Sequence, residues 1–295
     1  MIQKHRAELI LVFATLIWGA TFVIIKTGLE SCSPLLFIGI RFILAFFVML
    51  IFNWKRLIAA RRKVWQHGFF LGSFNFVAYS MQTVGLKYTT VAKSSLITYF
   101  FAVLTPLLQY ILTKKVPHKG NLTGLAVVFA GMILITSPKA EGINIGDILT
   151  LASAVSYAFY IVLIDIYPAK EDAGVLVTIQ FLLMGLLGLI SAPFFETVYI
   201  DIGTGLISSL AYLSILGSAV CIYIINRFQY YTTPTRAVII YSLEPVFSVI
   251  LGILILAESK APVKLAGGMI ILAGILISQL WEQLENRKKK KLELL

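Results

Sequence analysis

Apolar residues run along this chain in ten stretches parted by short polar connectors: 8–29, 35–53, 66–86, 91–113, 122–136, 146–166, 175–195, 206–228, 238–256 and 263–280. A helix rising about 1.5 Å per residue crosses a hydrocarbon core of about 30 Å in roughly twenty residues, and most of these runs are close to that length. The pattern predicts an all-α, polytopic membrane protein with ten transmembrane helices, with connectors too short to hold an extramembrane domain. The first run follows Lys4 and Arg6 in the manner of a signal peptide. It lacks a small-residue cleavage site, ends on Lys26 and leads into a second span, so it reads as a retained helix.

Composition agrees. Hydrophobic residues make up 59% of the 295 and charged residues 13%, with a mean hydropathy of +0.89. Those values lie outside the range of soluble domains. The net charge of +11 would point to nucleic acid if it were spread over a surface, but the basic residues are gathered between apolar runs. That distribution reports membrane orientation instead, and no nucleic-acid partner is expected. Lys4, Arg6, Lys55, Arg56, Arg61, Arg62, Lys63, Lys114, Lys115, Lys119 and the run Arg287 to Lys291 fall on one side and supply most of the 25 basic residues. This predicts an inner (plasma) membrane protein with both termini cytoplasmic, its basic face and tail meeting anionic lipid. The connector from Asp165 to Asp172 departs from the rule, setting Lys170 against three acids. Two cysteines, Cys32 and Cys221, make no disulfide framework. His5, His67 and His118 pair with no second ligand at helical spacing, so neither metal nor cofactor is expected.

The chain also matches itself. An offset of 143 positions aligns Tyr88-Thr89-Thr90 with Tyr231-Thr232-Thr233, Lys93 with Arg236, Gly124 with Gly267, and Gly131 with Gly274. A unit of five spans is odd-numbered, so two copies must cross the bilayer in opposite senses. The expected organisation is one repeat over 1–140 and a second over 141–295 that carries the basic tail. Inverted repeats of this kind build secondary transporters that expose a midplane site to each side in turn.

Trp18-Gly19-Ala20-Thr21-Phe22, Pro34 followed by Arg41-Phe42, Leu243-Glu244-Pro245 followed by Ala257-Glu258, and the glycines of the fifth and tenth spans stand in an order and spacing that resemble the EamA-type transporters of the drug/metabolite transporter superfamily. The likeness covers nearly the whole chain. It implies a ten-helix fold, cytoplasmic termini, and uptake or efflux of small metabolites including amino acids. The first half differs from the second in carrying Lys114-Lys115 where an acid is expected, and in placing Pro106 one turn later than the position matching Pro245.

Candidate site residues are polar groups within spans. Asn75, Tyr79 and Gln82 share one face of the third span, as Tyr223 and Asn226 do in the eighth. Each stripe lines a wet cavity or hydrogen-bonds between helices. Tyr99 and Tyr241 suit a planar substrate, because a ring with a hydroxyl both stacks and orients. Trp18 and Tyr157 fall near one another when the first and sixth spans are matched, and Trp18 serves a pocket or plain packing. Arg41 reads as a structural anchor that is paired or snorkels. Lys93 and Arg236, at equivalent positions, are gate candidates. Glu244 beside Pro245, in mid-span, either carries an exchangeable proton or bonds a neighbouring helix where the proline frees a carbonyl. No triad, His-Glu-x-x-His or phosphate-cradling loop is present, which argues against an enzyme. The reading is a secondary transporter, in the export direction, for a small metabolite such as an amino acid or an aromatic or amphipathic compound. It works by alternating access through a central cavity, with proton or other ion coupling. The alternatives are a non-transporting scaffold or receptor subunit, and a facilitator that imports a metabolite.

Overall fold

The computed structural model describes residues 2–136, 143–167, 171–247 and 262–292, and among them the chain is all-helical. The helices are α1 (Ile2–Trp18), α2 (Thr21–Gly28), α3 (Pro34–Ile58), α4 (Arg62–Tyr88), α5 (Val91–Thr98), α6 (Phe100–Thr113), α7 (Lys119–Thr136), α8 (Ile145–Ile166), α9 (Ala173–Phe195), α10 (Thr204–Tyr212), α11 (Cys221–Phe228), α12 (Pro234–Tyr241) and α13 (Pro262–Leu292). Among the described residues, 6 helical stretches are long and apolar enough to cross a membrane, and two shorter apolar helices lie over Lys119–Leu134 and Ala266–Ser278. Large apolar side chains face outward, among them Phe47, Ile51 and Phe52 on α3 and Phe194 and Phe195 on α9. Such a surface suits lipid and would be a liability in water.

Four runs that read as single helices in the sequence are interrupted. The first breaks at Gly19-Ala20 between α1 and α2, and the fourth at Tyr99 between α5 and α6. The eighth is wound as a π-helix over Leu213–Val220 between α10 and α11. Helix α12 likewise ends in a turn at Ser242-Leu243 before residues 244–247 resume. The breaks at Tyr99 and Ser242 lie 143 positions apart. Pro106 sits well inside α6 and does not cause the first of them. The apolar period survives each break, which is why it is silent about them.

Helix α7 packs along α13, α3 along α9, and α4 along α8. Glycines allow the closest approach: a Cβ on Gly124 would stand 2.6 Å from the Gly274 carbonyl oxygen, and one on Gly131 2.7 Å from that of Gly267. The pairs 124–274 and 131–267 run in opposite directions, so α7 and α13 are antiparallel. The bundle has one end where α1 begins and α13 finishes, the termini end, and a far end. At the far end the Glu196 carboxylate accepts from the free N–H groups of Leu35 and Leu36, capping α3 from another helix. Cys32 is a free, buried thiol there, pushed up to about 11 by burial and then by Glu196. The acidic connector that departs from the charge rule is accounted for at the termini end. Glu171 lies 2.6 Å from His67, and Asp172 is 2.7 Å from Arg56. Lys139, Glu141, Lys170 and Glu258 lie outside the described residues, as do the side chains of Lys93 and of the tail Arg287 to Lys291.

Candidate functional site

A central cavity with an empty volume of about 680 Å3, counted out to its mouth, lies where the helix breaks converge. Its walls are aromatic and polar, and most lining positions come in pairs. Trp18 faces it with Tyr157, Thr21 with Tyr160, and Phe22 with Ile161, each pair 139 positions apart. Tyr79 pairs with Ile222, Gln82 with Ile225, Thr98 with Tyr241, and Phe101 with Glu244, each 143 apart. Asn75, Tyr99 and Arg41 also line it.

The ring walls hold one another edge-on. Trp18 meets Tyr241 at 5.8 Å between centroids, and Tyr79 meets Tyr157 at 5.5 Å, both T-shaped. Trp18 donates its indole N–H to the Gly217 carbonyl at 2.9 Å, within the π-wound segment whose winding loosens the backbone ladder. Its indole N–H is thereby satisfied while its ring lines the cavity. Gln82 donates to Thr98 at 3.1 Å. Asn75 is fully buried, and neither its Oδ1 nor its Nδ2 has a partner.

Glu244 reaches the cavity beside the proline. Pro245 has no N–H, so the carbonyl of Tyr241, four residues back, is left without its helical donor. The Tyr99 hydroxyl fills that vacancy at 2.6 Å and also lies 2.7 Å from Glu244 Oε2. A phenol has one hydrogen and a carbonyl can only accept. Both contacts are full two-centre hydrogen bonds at once only when the Glu244 carboxyl carries the other hydrogen. Ionised, it competes with the Tyr241 carbonyl for the single phenol proton. The geometry therefore ties the charge on Glu244 to the helix break.

Arg41 is 1% exposed. It donates through Nε to Ser218 Oγ at 2.8 Å, and its guanidinium carbon stands 5.2 Å from the Phe42 ring and 4.9 Å from that of Tyr79. Cation–π contacts of this kind contribute about 0.5–2 kcal/mol each, far less than full charge neutralisation.

Below the cavity the termini end is laced with buried polar groups. Arg236 donates to Glu8 at 3.2 Å and to Ser278 at 2.7 Å, and Ser278 donates to Asn121 at 2.7 Å. Thr232 reaches Glu8 at 3.4 Å, Gln109 accepts from Thr235, and Gln229 joins the Tyr241 hydroxyl to the Ile161 carbonyl. At the far end Thr89 donates to Asp147 at 2.8 Å, and Lys26 donates to the carbonyls of Leu86 and Thr89. Asp147 also closes the capping box of α8 with Asn144.

The structure thus brings Trp18, Asn75, Tyr79, Gln82, Tyr99, Tyr157, Tyr241 and Glu244 to one cavity, together with Arg41, read above as an anchor. Two of the eighth-span residues lie elsewhere. Tyr223 is 36% exposed on the outer face, and Asn226 is buried between Tyr160 and Gln180. The eighth-span face that lines the cavity carries Ile222 and Ile225, one position before the polar stripe. Glu8, Asp147, Thr89 and Gln229 were missed by reading spans one at a time. The offset that matches Trp18 to Tyr157 also matches Glu8 to Asp147, as that of 143 matches Thr232 to Thr89, and both were available in the sequence. Among the described residues no group of His, Cys, Asp and Glu could hold a metal ion.

Comparison with known proteins follows the same two-part division. The family model described as the EamA-like transporter family matches residues 5–137 and 144–280. An uncharacterized transporter of Archaeoglobus fulgidus is 32% identical over 283 residues, covering 95% of this chain and 87% of its own length. A probable amino-acid metabolite efflux pump of Salmonella typhimurium is 28% identical over 284 residues, covering 89% of this chain and 91% of that protein. A solved crystal structure superposes with a TM-score of 0.80 at 19% identity, over 95% of this chain and 99% of its own, a likeness of fold.

Proposed function

We propose that this chain, which belongs to the EamA-like transporter family, is a secondary exporter of small metabolites such as amino acids and aromatic or amphipathic compounds, working by alternating access. As a transporter of this family it is not an enzyme, and it takes a small-molecule substrate. The observation that carries the mechanism is the cavity, whose lining comes from both halves at fixed offsets and whose termini end is closed by buried polar contacts. The reading has ten transmembrane helices in two inverted repeats, 1–140 and 141–295, with α7 and α13 as the antiparallel pair between them. It sits in the inner membrane with cytoplasmic termini, its basic face against anionic lipid.

Trp18, Asn75, Tyr79, Gln82, Tyr99, Tyr157 and Tyr241 hold the substrate. Glu8–Arg236 with Thr232 forms one gate. Asp147–Thr89, with Lys93 in the place of Arg236, forms its mirror at the far end, because each member is the repeat partner of one in the first. Glu244 couples the cycle to protons through the shared Tyr99 hydrogen, with the helix breaks before Pro106 and Pro245 as hinges. The test is purified protein in liposomes, loaded with labelled amino acids and aromatic compounds, with and without a proton gradient. Gradient-driven efflux in the wild type and its loss of gradient dependence in Glu244→Gln are expected. Flux with equal gradient dependence in Glu244→Gln would remove Glu244 from the coupling, and no flux of any compound would favour the scaffold alternative.

A further inference from the structure

Two buried arginines face opposite situations. Arg236 has its counter-ion in Glu8. Arg41, more deeply buried at 1% exposure, is paired with no described carboxylate within ion-pair distance, and its described neighbours are rings and hydroxyls. A cation held in a low-dielectric site without a partner is costly, and such groups inside membrane proteins mark ligand positions. Arg41 is moreover part of the cavity wall. Glu244, the carboxylate among the described lining residues, is engaged with Tyr99 instead. A second, independent sign comes from Asn75, one turn before Tyr79 on α4. Its carboxamide is 0% exposed, lines the same cavity, and has neither its donor nor its acceptor satisfied. Arg41 is bonded through Nε to Ser218 yet has no described counter-ion, and the Asn75 carboxamide is open toward the space a ligand would fill. The position 143 after Arg41 is Met184, buried in an apolar cluster, so the positive charge is confined to one wall of the cavity.

Resting on the transport reading above, we propose that Arg41 binds the carboxylate of the transported metabolite and that Asn75 completes this polar anchor, leaving the Trp18, Tyr79 and Tyr157 rings to hold an apolar or aromatic body. Guanidinium and carboxylate match in shape as well as charge, and the bond is strongest where water is excluded. Substrates of this class are amino acids and their deaminated acids; amides and simple amines of the same body are rejected.

The experiment uses liposomes containing the full chain and matched triplets built on phenylalanine, tyrosine and leucine: the amino acid, its amide, and the acid lacking the amino group, as in phenylalanine, phenylalaninamide and 3-phenylpropanoate. Each is measured as a competitor of labelled amino-acid flux. In the wild type the amide is expected to compete about ten- to a hundredfold more weakly than the amino acid, while the deaminated acid still competes. Arg41→Gln should erase that discrimination and Arg41→Lys keep part of it, with monodispersity and thermal unfolding checking that both variants are folded. Because the first comparison needs no variant, misfolding of Arg41→Gln leaves the test intact. Amides competing as well as amino acids in the wild type would overturn the anchor while leaving the transport reading standing. A wild type that moves none of the amino acids would overturn both.

Discussion

At the termini end of the bundle, Glu8 and Arg236 meet in a fully formed pair extended through Ser278 and Asn121. At the far end the matching residues, Asp147 and Thr89, also meet, but Asp147 is shared with the cap of α8. One end is sealed by charge between helices of different halves. The other spends its acid partly within its own helix. On the proposed mechanism, the interhelical ion pair of Glu8 and Arg236 holds the termini end shut. The difference between the two ends also fixes the sign of what each substitution should do.

The largest effect should follow Glu8→Gln. It leaves Arg236 buried without a counter-ion and should lower stability by about 3–5 kcal/mol, while Glu8→Gln with Arg236→Gln recovers most of the loss. Thermal unfolding in lipid nanodiscs measures this, and a single variant as stable as the wild type would mean the pair seals nothing. Next come Gly124→Val and Gly131→Val, which force α7 from α13 and should cost about 1–3 kcal/mol, whereas Gly203→Ala, with nothing within 4 Å of its added Cβ, should change little. Tyr99→Phe removes the hydroxyl shared by the Tyr241 carbonyl and Glu244, at about 1 kcal/mol, and should flatten the dependence of flux on the proton gradient. Tyr223→Phe, on the outer face, should alter stability by less than about 0.5 kcal/mol and leave flux unchanged. A transport defect there would place the substrate path on the wrong side of α11.

Much of this was legible beforehand because a bilayer simplifies the problem. A run of apolar residues near twenty long has few fates, and the 143-position repeat located the glycines of α7 and α13 before any contact was known. Side-chain direction was less legible. The polar stripe of Tyr223 and Asn226 drew attention from Ile222 and Ile225, because burying an asparagine between Tyr160 and Gln180 satisfies it as well as a wet cavity would. The offset, applied strictly, pointed to the isoleucines. Arg41 reads as an anchor in the sequence since a lone charge in a span is ordinarily paired, and only the structure sets the Phe42 and Tyr79 rings against it in place of an acid. Glu8 and Asp147 escaped notice because each lies at a span end, where a single charge is unremarkable and only its repeat partner gives it meaning.

The opposed gates are tested most directly by access to the cavity from each side. With Cys32 and Cys221 replaced by serine, single cysteines at Ile25 toward the far end and Ile225 toward the termini end report entry of a membrane-impermeant maleimide. Glu8→Gln is predicted to speed labelling at Ile225 from the termini side and slow it at Ile25 from the far side, and Asp147→Asn to do the reverse. Labelling rates that change in the same direction at both sites, or that respond identically to the two variants, would contradict the account.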